Sequence, residues 1–342
     1  MTEVPVFSTL PNHNTISRAY EQIRRFVRTT PLIRSDHLSQ LIHGEVLVKA
    51  ESLQVTGAFK FRGALYRLLN LNHEQKERGV IAYSSGNFAA GLAAAGQILK
   101  IPVRLVMPHD APKAKIQNAE YYGAQVILCH SVTPSREEAA SDMARELAET
   151  HSATLLHPFD DYEIIVGQAS VALELQGQLE EKNQMCDHLL CPVGGGSLVA
   201  GSSLVFTNVA EVWAVEVDGY QGMNLSLKQG KRCRADGSIP SDCDALMALE
   251  PGVANLDITL QTNVRGITVN SDTVHDAVRI GFQEMNLVLE PSGAVAIAAI
   301  MENPELFENK TVVIIASGGN VDPEKYASIL QSKEDKKVSI RQ

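Results

Sequence analysis

The sequence predicts an α/β protein of two lobes, each a parallel sheet with helices on both faces. Three observations predict it. Short apolar, β-branched runs alternate with longer stretches of three-to-four-residue apolar spacing, the pattern of strand–helix–strand crossovers. Nine such strand runs can be counted, too many for one comfortable doubly wound sheet. The chain of 342 residues is also about twice the usual domain length.

In chain order the runs are "VLVKA" (46–50), "VIAYS" (80–84), "VRLVM" (103–107), "QVILC" (125–129) and "TLLHP" (154–158). They continue with "LLCPV" (189–193), "VWAVEV" (212–217), "GITVN" (266–270) and "VVIIAS" (312–317). The stretch "SREEAASDMARELAETH" from Ser135 is representative of the helices between them. Four runs fall within 79–156, so that block is expected to be a smaller, substrate-side lobe. It would be inserted in a larger lobe made of residues 1–78 and 157–342. The last segment, "SKEDKKVSIRQ", is charged and expected to fray.

Composition narrows the partners. Hydrophobic residues at 44% and charged residues at 20% fit a folded globular protein. The net charge of −10 argues against nucleic acid or an anionic membrane as a partner, while allowing a local basic pocket for a small anion. Cys129, Cys186, Cys191, Cys233 and Cys243 are odd in number and form no Cys-x-x-Cys pair, which suits reduced thiols in a cytosol. No His-Glu-x-x-His or zinc-like spacing occurs. The N-terminal segment has no apolar core of signal-peptide type, and the longest apolar runs, such as "AVAIAAIM", are too short to span a bilayer. A cytoplasmic protein is expected.

Ligands of open α/β sheets bind at the carboxyl ends of strands, and three strands here run into unusual loops. In "LLCPVGGGSLVAGSSLVF" a strand leads into Gly194-Gly195-Gly196-Ser197 and then a helix. Successive glycines let backbone N–H groups turn inward, and the helix start adds partial positive charge, which together make a phosphate cradle. No Gly-Lys-Ser/Thr follows, so it is not a P-loop. As a dinucleotide fingerprint it lacks the third glycine, whose place holds Val199, although Glu216 falls where a ribose-binding acid would. In "VIAYSSGNFAAGLAAAG" the turn Ser84-Ser85-Gly86-Asn87 can cap a helix and offer donors to a carboxylate. The helix after it carries Ala90, Gly91, Ala94 and Ala95, so something can approach its backbone closely. In "VVIIASGGNVDPEKY" a strand ends in Ser317-Gly318-Gly319-Asn320, and Asp322-Pro323 reads as a helix start.

"SLQVTGAFKFRGALYRLL" places Lys60 at the mouth of an otherwise apolar helix, after the turn Gly57-Ala58. A lysine in such a stretch is ordinarily solvated. The next positions on its face are Gly63 and Ala64, which would leave room for a flat group beside the amine. An amine in a partly apolar site has a lowered pKa and can form a Schiff base. A phosphate cradle, a carboxylate turn and such an amine together suggest pyridoxal 5′-phosphate (PLP).

With "TGAFKFRGA", "SSGNFAAG", "PVGGGSLVAG", "LEPSGAVAIAA" and "ASGGNVD" in that order, the chain from about residue 14 to 330 resembles the fold type II PLP enzymes. The fold implied is two-lobed and similar to the tryptophan synthase β chain. The branch resembled is that of serine/threonine dehydratases and serine racemases. The resemblance implies that Lys60 holds PLP and acts as the base at the substrate Cα, and that Phe59 lines the cofactor. It implies that Asn87 bonds the ring hydroxyl, that the N–H groups of Gly194, Gly195, Gly196, Ser197 and Leu198 hold the phosphate, and that Ser317 faces the pyridine nitrogen. Ser84, Ser85, Gly86 and Asn87 would hold the substrate α-carboxylate. A serine at the ring nitrogen does not force its protonation, which favours loss of a β-hydroxyl. The expected activity is elimination on L-threonine or L-serine, giving a 2-oxo acid and ammonia, by a homodimer.

The same resemblance keeps two relatives in view. Ser85 stands where the racemases place the acid–base group for the opposite face. Arg136 matches an arginine of the racemase and hydroxyaspartate dehydratase branch that can meet a second substrate carboxylate. Phe88 replaces the usual histidine, Ser197 the fourth glycine of the cradle, and Ala245 falls where Asp-Gly is common. The acid that would complete a cation site with Glu216 is absent, its place being Gly222, so no metal is expected. Rivals of another kind are a nicotinamide- or nucleotide-binding protein and a non-catalytic PLP carrier.

Overall fold

The computed structural model describes residues 9–111, 113–131, 133 and 136–332. All nine expected runs are strands in it, and the charged segment beyond Ser332 lies outside the described residues. A six-stranded sheet contains β1 (Leu32–Arg34), β2 (Glu45–Lys49), β7 (His188–Pro192), β8 (Glu211–Val217), β9 (Arg265–Val269) and β10 (Thr311–Ile315) in the order β1-β2-β10-β7-β8-β9. A four-stranded sheet contains β3 (Val80–Tyr83), β4 (Val103–Pro108), β5 (Gln125–Cys129) and β6 (Thr154–Leu156) in the order β5-β4-β3-β6. Every pairing is parallel except β1 on β2. That three-residue edge strand was not expected from the sequence, being too short to show any alternation.

The helices before the return to the large sheet are α1 (His13–Ile23), α2 (Asp36–Leu41), α3 (Lys60–Leu69), α4 (His73–Arg78), α5 (Asn87–Leu99), α6 (Lys113–Tyr121), α7 (Arg136–Thr150) and α8 (Tyr162–Glu181). Then come α9 (Ser197–Phe206), α10 (Gly222–Gln229), α11 (Val253–Gln261), α12 (Ser271–Met285), α13 (Pro291–Glu302) and α14 (Pro323–Gln331). As Asp322-Pro323 suggested, Asp322 caps α14, accepting from the backbone N–H groups of Glu324 and Lys325.

Parallel strands covered on both faces are apolar throughout, and the period of two divides their side chains between two cores. Val46, Val48, Val312 and Ile314 point into one core, with α12 and α13. Leu47, Val313 and Ile315 point into the other, with α8 and α9. The last strand, β10, lies inside the sheet, with Val313 paired to Leu47 on one side and Leu189 on the other.

Helix α3 packs between α5 and α8 at small residues. A Cβ on Gly63 would lie 2.5 Å from Gln168 Nε2 and 2.8 Å from the Ile164 carbonyl. Gly63 and Ala64 were expected to make room beside Lys60; they make room for α8 and the core instead. Likewise, what approaches the Ala/Gly face of α5 is protein: a Cβ on Gly91 would lie 3.0 Å from the Phe61 nitrogen. Close helix contact is the ordinary use of such residues.

Candidate active site

The approach to Lys60 is set by the backbone. Thr56 and Gly57 have φ of 62° and 74°, a left-handed pair that is costly for a β-branched residue. They turn the chain so that Ala58 bridges to Gly318 and the Phe59 N–H donates to the Ser317 carbonyl at 3.1 Å. Lys60 is then the first residue of α3. Its Nζ donates to the Pro158 carbonyl at 3.1 Å and lies 3.5 Å from Ser197 Oγ. The rings of Phe59 and Phe159 are 5.2 and 6.0 Å away. No carboxylate pairs with the amine among the described residues, and burial lowers its pKa to about 8.

The glycine loop joins β7 to α9, with Gly196 at φ 103°. Its glycines are required by close approach. A Cβ on Gly195 would meet the Phe159 ring at 2.1 Å, and one on Gly194 would lie 3.1 Å from the Ala245 carbonyl. Asn255 Nδ2 and the Gly252 N–H both donate to the Gly195 carbonyl, at 2.8 and 2.9 Å, which turns the carbonyl away from the cavity. The backbone N–H groups from Gly194 to Leu198 have no protein acceptor among the described residues.

At the second loop the N-cap of α5 is Gly86, with no side-chain cap. The Ser84 hydroxyl, expected to cap the helix, accepts from the Gly86 N–H at 3.2 Å within the turn. The positive end of α5 therefore stays open. Asn87 donates to Glu290 and accepts from Asn320 Nδ2 at 2.8 Å. Burial and the nearby Asp244 push the Glu290 pKa up to about 7.

These groups share one cavity of about 470 Å³. Of the residues expected from the sequence, Phe59, Lys60, Ser84, Ser85, Gly86, Asn87, Gly194, Gly195, Gly196, Ser197, Leu198 and Ser317 all line it, as do Phe88 and Ala245. Arg136 opens α7, and its side chain lies outside the described residues. Sequence reasoning missed Glu290, Arg232 and Arg234 on the cavity wall. Glu290 stood in a quoted motif, but nothing local said which way it points. Glu216 is not on the wall. Its carboxylate accepts from the backbone N–H groups of Met223 and Asn224 at 2.8 and 2.7 Å and so caps α10. Buried at 1% exposure and off the cavity wall, it is out of reach of a ribose, which removes the main support for a dinucleotide site. At Gly222 a Cβ would lie 2.3 Å from the Leu249 carbonyl, so an acid there would not fit. Among the described residues no three His, Cys, Asp or Glu side chains gather as metal ligands, and no helix is long and apolar enough to cross a membrane.

Residues 23–318 match the model of a family described as "Pyridoxal-phosphate dependent enzyme". The chain belongs to this family. It is 35% identical to the serine racemase of Schizosaccharomyces pombe, over 94% of this chain and 98% of the relative. It is 34% identical to an L-threo-3-hydroxyaspartate ammonia-lyase from a Pseudomonas species, over 94% and 99%. Among solved structures it is similar to a threonine deaminase from T.th., with TM-score 0.84 and 34% identity, over 91% of this chain and 99% of that one. The fold is that of the type II PLP enzymes, and the cofactor is PLP. The residues fit that group: among the described residues, a row of N–H groups on the cavity wall without a protein acceptor for a phosphate, a lysine of lowered pKa, and a buried Glu290 Oε2 without a hydrogen-bond partner. The family's activities here are those of ammonia-lyases and racemases.

Proposed function

We propose that this chain is a β-eliminating ammonia-lyase for a small β-hydroxy amino acid, L-threonine or L-serine. One observation carries the reading: Lys60 Nζ, at 3.1 Å from Pro158 O and 3.5 Å from Ser197 Oγ, shares a cavity with an open helix start and a glycine cradle. PLP bound there would supply the electron withdrawal that acidifies the substrate Cα–H. Phe59 would pack on it, the N–H groups of Gly194–Leu198 would take its phosphate, Asn87 its ring oxygen, and the neutral Ser317 hydroxyl its ring nitrogen. The N–H groups at the start of α5, with Ser84 and Ser85, would hold the α-carboxylate. With a pKa of about 8, Lys60 is suited to take the Cα proton near neutrality. Residues 79–156 would form the substrate-side lobe, and a homodimer would be the working assembly.

The test is to reconstitute the purified protein with PLP and add L-serine, L-threonine and 3-hydroxyaspartate separately. Visible absorbance lost in Lys60→Ala, with 2-oxo acid released from L-serine or L-threonine, is the expected result. Absorbance without oxo acid would leave a carrier. No absorbance would remove the reading altogether.

A second reading has its own support. Arg232 and Arg234 line the outer cavity, where a second substrate carboxylate could meet a guanidinium as Arg136 was expected to. They favour 3-hydroxyaspartate, and Ser85 keeps racemisation in play.

A further inference from the structure

The function above assigns Asn87 a hydrogen bond to the cofactor ring but does not say which end of the amide faces it. The two ends have the same shape and opposite chemistry, one a double donor and the other an acceptor. Their neighbours decide, and here the neighbours form a chain whose polarity is pinned by a backbone carbonyl.

At one end is the carbonyl of Thr56, in the left-handed turn before Lys60. A carbonyl only accepts, so the Asn320 atom 2.7 Å from it is Nδ2. The same Nδ2 lies 2.8 Å from the Asn87 side chain, so the Asn87 atom facing it is Oδ1. The other end of Asn87 is then Nδ2, and it donates one hydrogen to Glu290 Oε1. The second hydrogen has no acceptor among the described residues, and Asn87 lines the cavity. Asn87 is 8% exposed and Glu290 2%, so water has little access to reset the chain.

We infer that Asn320 and Glu290 are positioning residues that fix the Asn87 amide so that the cavity is offered an N–H and selects a ligand oxygen carrying no proton. The inference rests on the PLP reading above and names the protonation state the site demands of the ring oxygen. It also gives Asn320 a use. This residue, in the Ser-Gly-Gly-Asn loop, joins the turn leading to Lys60 with the start of α5 through two hydrogen bonds from one nitrogen.

Asn320→Asp tests it in the PLP-loaded protein, because the substitution keeps the shape and removes both donors. A carboxylate facing two oxygens forces the Asn87 amide to reverse and point Oδ1 at the ring oxygen, which must then carry a proton. The expected result is a shift of bound-PLP absorbance from the visible to the near ultraviolet. PLP dissociation should rise roughly tenfold or more, the size of one hydrogen bond to a charged group. Asn320→Ala should do less, since Glu290 still holds Asn87 Nδ2. A merely space-filling Asn320 gives the reverse order, alanine worse than aspartate, and that order or an unchanged spectrum overturns the inference. If N320D does not fold, E290L against E290Q decides, because glutamine retains an acceptor oxygen. E290L should shift the band further, and equal shifts overturn the inference. A wild-type protein that takes up no PLP would instead overturn the functional reading beneath it.

Discussion

Two residues after Lys60, Arg62 makes a two-pronged ion pair with Glu51, Nε to Oε2 at 2.8 Å and Nη2 to Oε1 at 2.7 Å, and both side chains are fully buried. Arg62 also reaches Glu174 of α8 at 3.1 and 3.2 Å, and Glu174 in turn accepts from Lys49 of β2 at 2.5 Å. Two cations and two anions thus fasten the first turn of α3 to the sheet and to α8. Their mutual attraction raises the Arg62 pKa and lowers that of Glu174 despite burial. Removing one member leaves a buried charge without its partner. Glu51→Ala should therefore cost about 3–5 kcal/mol of stability, read from the urea midpoint. A loss below about 1 kcal/mol, the size of an exposed pair, would mean that water reaches the cluster.

Lys60 makes the stability of the cofactor-free protein depend on pH in a definite direction. Its pKa is about 8 in the folded protein against 10.5 for a free side chain. Below pH 8 the amine is charged in both states, and folding bears the full desolvation penalty. Between pH 8 and 10.5 the folded protein gives up its proton first, so stability rises with pH there. Lys60→Met should accordingly be more stable than wild type below pH 8, with the difference shrinking as pH rises to 10.5. A difference independent of pH would show that the amine is hydrated.

Gly195 tests the cradle. An added methyl would sit 2.1–2.4 Å from three carbons of the Phe159 ring, and Phe159 is two residues from His157, whose Nδ1 accepts from the Phe159 and Asp160 N–H groups and holds that turn. Gly195→Ala should cost about 1–3 kcal/mol and weaken PLP retention in equilibrium dialysis. Adding Phe159→Leu should restore part of both. No recovery would place the constraint in the backbone instead.

The arginines on the outer wall bear on substrate choice. Arg234 is already engaged by Glu250 at 3.3 Å, and Arg232 Nε by the Pro251 carbonyl at 2.7 Å. If they also take a second carboxylate, the double variant R232Q/R234Q should lower the ratio of kcat/KM for 3-hydroxyaspartate to that for L-threonine by roughly tenfold or more. An unchanged ratio would confine them to holding the 230–250 loop.

Most of the strand positions were legible in the sequence, because runs such as "VVIIAS" and "LLCPV" need burial on both faces. So was the gathering of the glycine loop and Lys60 at one cavity, because both stand at strand or helix ends where an α/β sheet opens its crevice. Three things were not legible, for one physical reason: each depends on a partner that only the folded chain brings into contact. Gly63 reads as space for a ligand until Gln168 is seen to fill it. Glu216 reads as a ribose acid until α10 is seen to take both its oxygens. Asn320 and Glu290 sat in quoted motifs, yet their role appears only when Asn87 stands between them.

The placing of β10 has a consequence for how the protein is made. A ribosome delivers β2 and β7 long before β10, the strand that must lie between them. Until residue 315 has emerged, the large sheet is two separate halves with bare inner edges, and the Ser317 side of the cavity does not exist. Exposed parallel edges of this kind are prone to pair with the wrong chain. The nascent protein thus carries an incomplete sheet and an unfinished cavity through most of its synthesis, and both are completed by the same late strand.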